Sequence, residues 1–177
     1  MVDNSRDLPL DRVARIQAEW RRERPDVDPS PQGVIGRMHR IADYLRESIV
    51  EVYQRHGLGE GEFDVLATLR RAGAPFERAA GELADHTMVT SGGLTKRVDR
   101  LETRGLVTRR VSELDGRARV VALTPAGLKL VDRVFTEHME NERRLLSVLD
   151  SADLASIEGV LTRWLAAVDA SGNARVE

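Results

Sequence analysis

Eight basic side chains fall between residues 90 and 121: Lys96, Arg97, Arg100, Arg104, Arg109, Arg110, Arg117 and Arg119. Only Asp99, Glu102, Glu113 and Asp115 stand against them, so this segment carries a net +4 in a 177-residue chain whose total is -2, leaving -6 for the remainder. A cationic stretch on an acidic body is the electrostatic footprint of a protein that meets a polyanion with one face. For any single arginine a solvated surface ion pair is the competing explanation, and Arg104 with Glu102 is one such expected pair. Other chemistries have less to stand on. The chain has no cysteine, which excludes disulfides, thiolate catalysis and cysteine-bound metal. His39, His56, His86 and His138 are scattered without ligand spacing and read as solvated, so no metal site is expected. Glu60 and Glu62 before Asp64 suggest paired carboxylates, yet acids at a helix N-terminus are explained by the helix dipole. With no phosphate loop, nucleophile elbow or catalytic triad, the reading is of a protein that is not an enzyme and needs no cofactor.

The elements that must position the basic residues follow from periodicity. Thr90 or Ser91 is a good N-cap for a helix running to Arg104, which Gly105 ends, with Leu94, Val98 and Leu101 inward. A short helix over residues 79–86, with Leu83 and Ala84 inward, precedes it across a tight connection, which is helix-turn-helix spacing. Residues 106–111 and 118–123 read as two strands around an Asp115-Gly116 turn, a β-hairpin that serves as a wing. Helices are expected over 10–22, 33–56 and 60–72, the first closed by Pro25 and followed by a proline-punctuated linker. Thr124-Pro125 starts a helix to about Leu149. Ser151 caps the last one, where Leu154, Ile157, Leu161, Trp164, Leu165 and Val168 make a wide stripe whose tryptophan is a core or interface residue. The fold class is mainly α, with a winged helix-turn-helix core and long flanking helices.

A helix fits the major groove of DNA, and its N-terminal half meets base edges. In this register Ser91, Gly92, Thr95, Lys96 and Asp99 point away from the apolar face. Arg117 at the hairpin tip has the reach for a minor groove, and Arg100 and Arg119 are placed to hold phosphates. The expected DNA-binding set is therefore Ser91, Gly92, Thr95, Lys96, Arg100, Arg117 and Arg119.

The order of these motifs resembles the MarR family of winged-helix transcription regulators. The carrying residues are Gly61-Glu62-Phe63-Asp64-Val65-Leu66, Glu82-Leu83-Ala84, the run from Ser91 to Glu102, Gly105-Leu106-Val107, Asp115-Gly116-Arg117-Ala118 and Leu123-Thr124-Pro125-Ala126-Gly127. The resemblance covers residues 34 to 168. It implies a homodimeric repressor that binds a palindrome in double-stranded DNA. It also implies a layout of an added N-terminal helix and linker (1–33), dimerisation helices (34–57 and 124–170), a DNA-binding domain (58–123) and a tail (171–177). The extra helix around Trp20 is similar to that of the urate-responsive, PecS-type subgroup. That resemblance implies a small anionic ligand at Trp20, Asp64, Arg97 and Arg109, although Lys96 stands where the subgroup usually has asparagine, so the ligand stays open.

Composition fits a folded domain, 41% apolar and 32% charged, long enough to bury a core unaided. No apolar run is long enough for a membrane helix and the N-terminus lacks a signal-peptide core, so a cytoplasmic protein with no membrane partner is expected. Two alternatives stay open: a winged helix used for protein–protein contact, and a DNA-binding regulator without a ligand, in which Trp20, Asp64 and Arg97 are structural.

Overall fold

The computed structural model describes residues 10–87, 93–111 and 119–173. Ser91, Gly92 and Arg117 lie outside them, as does the Asp115-Gly116 turn. Among the described residues ten elements follow in order: α1 (Arg12–Glu23), α2 (Gln32–Arg55), α3 (Glu60–Arg71), β1 (Glu77–Ala79), α4 (Ala80–His86), α5 (Leu94–Thr103), β2 (Val107–Val111), β3 (Arg119–Leu123), α6 (Pro125–Leu146) and α7 (Ser151–Asn173). The chain divides into two compact units, residues 1–48 and residues 49–177.

In the first unit Asp11 caps α1 by accepting from the Ala14 amide at 2.8 Å and also pairs with Arg37 at 2.7 Å. Val13 is buried against Gly36 of α2. The buried Gln17 amide donates to the Pro29 carbonyl at 2.9 Å, which ties the proline-punctuated linker back onto α1.

The second unit holds the core. Phe63, Val65, Leu66 and Leu69 of α3 meet Leu83, Val98, Leu101, Val121, Val131 and Val134, all of them buried. Each fully buried leucine contributes about 1.5–3 kcal/mol by leaving water. The expected inward faces are present: Leu83 on α4, and Val98 and Leu101 on α5 with Leu94 packed at the edge. The hairpin is also present, antiparallel, with Val107 opposite Leu123 and Val111 opposite Arg119.

Several boundaries depart from expectation. A third strand, β1, pairs with the outer side of β3, giving the order β1-β3-β2. Helix α5 begins at Leu94 with Gly93 as its N-cap in the left-handed conformation, φ 85°. Glycine enters this conformation without steric penalty; Thr90 and Ser91, expected as the cap, lie outside the described residues. Asp150 caps α7 in place of Ser151, accepting from the Asp153 amide at 2.8 Å. Helix α6 starts as expected, with Thr124 accepting from the Gly127 amide at 3.0 Å and Pro125 in the first turn, but it ends at Leu146. Gly127 is required there, because a Cβ would strike the Leu106 carbonyl just beyond α5.

Candidate nucleic-acid interface

Helix α5 buries Val98 and Leu101, and at about 100° per residue its remaining side chains sort into an outer face and two flanks. Lys96 and Thr103 fall at the crown of the outer face, both exposed. Arg97, Arg100 and Arg104, spaced three and four apart, share one flank, while Thr95, Asp99 and Glu102 share the other.

The arginine flank lies along the corner that leads into α3. Arg100 Nε donates to Glu62 Oε1 at 2.7 Å. Arg104 Nη1 donates to the Gly57 carbonyl at 2.8 Å and stands 3.9 Å from Glu62 Oε2. The Cδ and Cζ atoms of Arg97 lie 2.7 and 2.8 Å from where a Cβ on Gly61 would stand, so the half-buried Arg97 side chain occupies the space that Gly61 leaves. The expected Arg104–Glu102 pair is replaced by these contacts. Glu62 is only 7% exposed, and its other oxygen accepts from the Gly59 amide at 2.9 Å, capping α3. Burial pushes the Glu62 carboxyl up, but the Gly59 amide, Arg100 and Arg104 together outweigh it and hold its pKa below the ordinary carboxylate value. Glu62 is thus more than the acid at a helix N-terminus that its position in the sequence suggests. Its position three residues after Gly59 marked the cap, but no spacing marked the pair with a residue 38 positions away.

The acidic flank is held from the wing. Arg109 of β2 pairs with Asp99 through Nη2 and approaches Glu102 at 3.6 Å through Nη1, while its backbone amide donates to Glu102 Oε1 at 3.1 Å. Beside it a cavity of about 230 Å³ opens between α4, α5 and the sheet, lined by Leu94, Thr95, Val98, Val121, Arg109 and Arg119. Two guanidinium-bearing residues thus border an apolar floor under the N-terminal half of α5. Arg110, the next residue, pairs with Glu77 of β1 at 2.6 Å and so ties the two outer strands of the sheet together.

Of the residues expected to hold a ligand, Asp64, Arg97 and Arg109 belong to the second unit. Asp64 is buried on α3, 8% exposed. Arg97 and Arg109 sit on opposite flanks of α5. Trp20 belongs to the first unit and is half exposed there. It lines a cavity of about 270 Å³ with Arg24, Val27, Pro29, Pro31 and Gln32. Of the histidines, His138 packs with Tyr53 and Phe63, with Tyr53 Oη 3.3 Å from its Nδ1, and His56 lies 3.0 Å from Glu137. These two are therefore packed between helices and not solvated as expected. Among the described residues no group of three or more potential ligands comes together to hold a metal, and no helix is long and apolar enough to cross a membrane.

Residues 56–118 match the model of the MarR family. The chain is 38% identical over 151 residues to the HTH-type transcriptional regulator PecS of Dickeya dadantii, covering 85% of this chain and 91% of PecS. Among solved structures, Sco3205 of Streptomyces coelicolor, a MarR family transcriptional regulator in complex with DNA, superposes with a TM-score of 0.68 at 22% identity, over 77% of this chain and 86% of that one. BpsR of Bordetella bronchiseptica, described for regulation of its DNA binding by 6-hydroxynicotinic acid, superposes with a TM-score of 0.65 at 21% identity, over 74% and 91%.

Proposed function

The chain belongs to the MarR family of DNA-binding transcriptional regulators, and from that premise we propose that it is a homodimeric repressor that reads a palindromic operator and is released by a small, flat anion. One observation carries the reading: the outer face of α5 is free of apolar side chains and crowned by Lys96, while both of its flanks are held by ion pairs. In this reading Thr95, Lys96, Arg100 and Arg119 meet DNA, with Ser91, Gly92 and Arg117 completing the set by their place in the sequence.

Dimerisation is supported by α7, which buries none of residues 151–171 in this chain although Ile157, Val160, Leu161, Trp164, Leu165 and Val168 are 37–63% exposed. An apolar surface of that extent belongs against a partner, and a second copy supplies the two-fold symmetry that a palindrome requires. The ligand is supported by the cavity under α5, where an aromatic acid would find an apolar floor and the guanidinium groups of Arg109 and Arg119. Arg97 and Asp64 extend the candidate set around α3 and α5, and Trp20 offers a half-exposed ring in its own unit. Such a ligand weakens DNA binding only if it prefers an α5 position that DNA does not.

The test is a titration of a duplex from the gene's own upstream region against scrambled DNA, at fixed salt, with and without millimolar urate or 6-hydroxynicotinate. Preference for the upstream duplex that either compound weakens supports the whole reading. Equal, weak binding to both duplexes removes operator recognition in that region and favours a basic face that meets an acidic protein. A regulator without a ligand is the second reading, favoured by the engagement of Arg109 with Asp99 and Glu102. Thermal stabilisation by either compound would count against it.

A further inference from the structure

We propose that Glu62 is a positioning residue for DNA recognition: it fixes the roll of α5 about its own axis, and with it the guanidinium edge that Arg100 presents to DNA. The proposal rests on α5 being the helix that meets DNA.

The apolar floor of α5 does not set that roll alone. Val98 and Leu101 hold the helix down, but hydrophobic burial is non-directional and survives a modest rotation. Charge-assisted hydrogen bonds are directional and do not. All three arginines of one flank reach the corner from Gly57 to Glu62, and the ion pairs of Arg100 and Arg104 converge on one carboxylate. That carboxylate is itself anchored. It is buried, one oxygen is committed to the Gly59 amide, and α3 is anchored by Phe63, Leu66 and Leu69. Rotation of α5 toward the wing would stretch the 2.7 Å bond to Arg100; rotation the other way would drive Arg97 into the Gly61 backbone. Arg100 is held by Nε and its side chain is 58% exposed, so the two NH2 groups of its guanidinium are the edge left for a phosphate.

The two jobs of Glu62 separate by substitution. Glutamine serves at this position of a capping box, so Glu62→Gln keeps the α3 cap while the charge that holds Arg100 is lost. A residue that only caps would move the melting temperature and leave discrimination alone. A residue that is only a nearby negative charge would, on removal, tighten binding to all DNA. A positioning residue loses discrimination. The experiment measures affinity for the upstream duplex and for scrambled DNA, at one salt, in the full-length wild type, Glu62→Gln, Arg100→Ala and the double variant, with melting temperatures for each. The expected result is a melting temperature within a few degrees of wild type for Glu62→Gln. Its ratio of upstream to scrambled affinity falls about tenfold, and most of that fall is absent when Arg100 is already alanine. An unchanged ratio, equal tightening on both duplexes, or a fall independent of Arg100 overturns the proposal. A wild type with no preference between the duplexes overturns the DNA reading itself, and the proposal with it.

Discussion

The two flanks of α5 are braced with opposite polarity. On the scaffold side a buried carboxylate, Glu62, holds arginines of the helix. On the wing side an arginine from the strand, Arg109, holds carboxylates of the helix, Asp99 and Glu102, which are 51% and 41% exposed. The scaffold brace is rigid because its anchor is buried and capped. The wing brace is exposed, screened by solvent, and borders a cavity. On the proposed reading the first sets geometry and the second sets charge: without Arg109 two carboxylates would stand unneutralised beside the face proposed to meet phosphates. A helix fixed on one side and adjustable on the other is suited to being moved by a ligand.

The largest effect is expected from removing what the flanks share. Leu101 is fully buried beneath α5, and Leu101→Ala should cost about 2–5 kcal/mol through lost burial and the cavity left behind. Chemical denaturation measures it. Both braces lose their footing together, so DNA binding should fall in proportion to the unfolded or loosened population. A cost below about 1 kcal/mol would mean that the braces hold α5 without its floor, and the division drawn between floor and flanks would fail.

Arg109→Ala comes next and separates the flanks. Its effect on stability should stay below about 1 kcal/mol, as for exposed pairs generally. Its effect on binding should reach about tenfold, on upstream and scrambled duplexes alike, because exposed carboxylates repel every phosphate backbone. That uniform loss contrasts with the loss of discrimination expected of Glu62→Gln. Asp99→Asn with Glu102→Gln should restore most of the affinity in the Arg109→Ala background. If the charge-neutral triple variant binds no better than Arg109→Ala, the wing brace positions the helix as well, and the contrast between the flanks disappears.

Local patterns made much of this architecture legible, and distant pairs did not. The inward face of α5 follows from Leu94, Val98 and Leu101 at helical spacing, and the start of α6 from Thr124-Pro125. Strand β1 escaped because three residues, Glu77–Ala79, are too few to show alternation, and they pair with a strand more than forty positions away. Asp150 and Ser151 are both strong capping residues side by side, and only the fold decides that Asp150 accepts the amide. Arg97, Arg100 and Arg104 were readable as one stripe, but what the stripe rests on was not. Gly61 and Glu62 carry no pattern that names a partner on α5.

A smaller effect is expected at the crown. Lys96 lies between the flanks, is exposed, and makes no ion pair among the described residues. Lys96→Ala should reduce affinity a few-fold and lower the slope of log affinity against log salt by about 0.9, the signature of one lost phosphate contact. The same slope change with an altered preference among operator bases would move Lys96 from phosphate to base-edge contact.

The smallest expected effect is the acid dependence of the scaffold brace. The pKa of Glu62 is held below 4.5, the ordinary value, by the Gly59 amide and by Arg100 and Arg104 against the opposing push of burial. A group whose folded pKa is depressed stabilises the fold above its unfolded pKa and loses that contribution as pH falls through the folded value. The Glu62 contribution is therefore constant from neutral pH down to about 4.5 and declines below it. Asp11 and Glu137 are depressed as well, Asp11 first by the Ala14 amide and Glu137 first by His56, so the acid loss of the wild type is shared among several carboxylates. The difference in melting temperature between wild type and Glu62→Gln isolates one of them. That difference should be flat above pH 4.5 and shrink below it, because protonated Glu62 and glutamine are both neutral. A difference that persists to the lowest pH at which the protein stays folded would trace to the shape of the amide at the cap and not to the charge that holds Arg100. The scaffold flank would then be a packing contact, and its contrast with the wing flank would rest on burial alone.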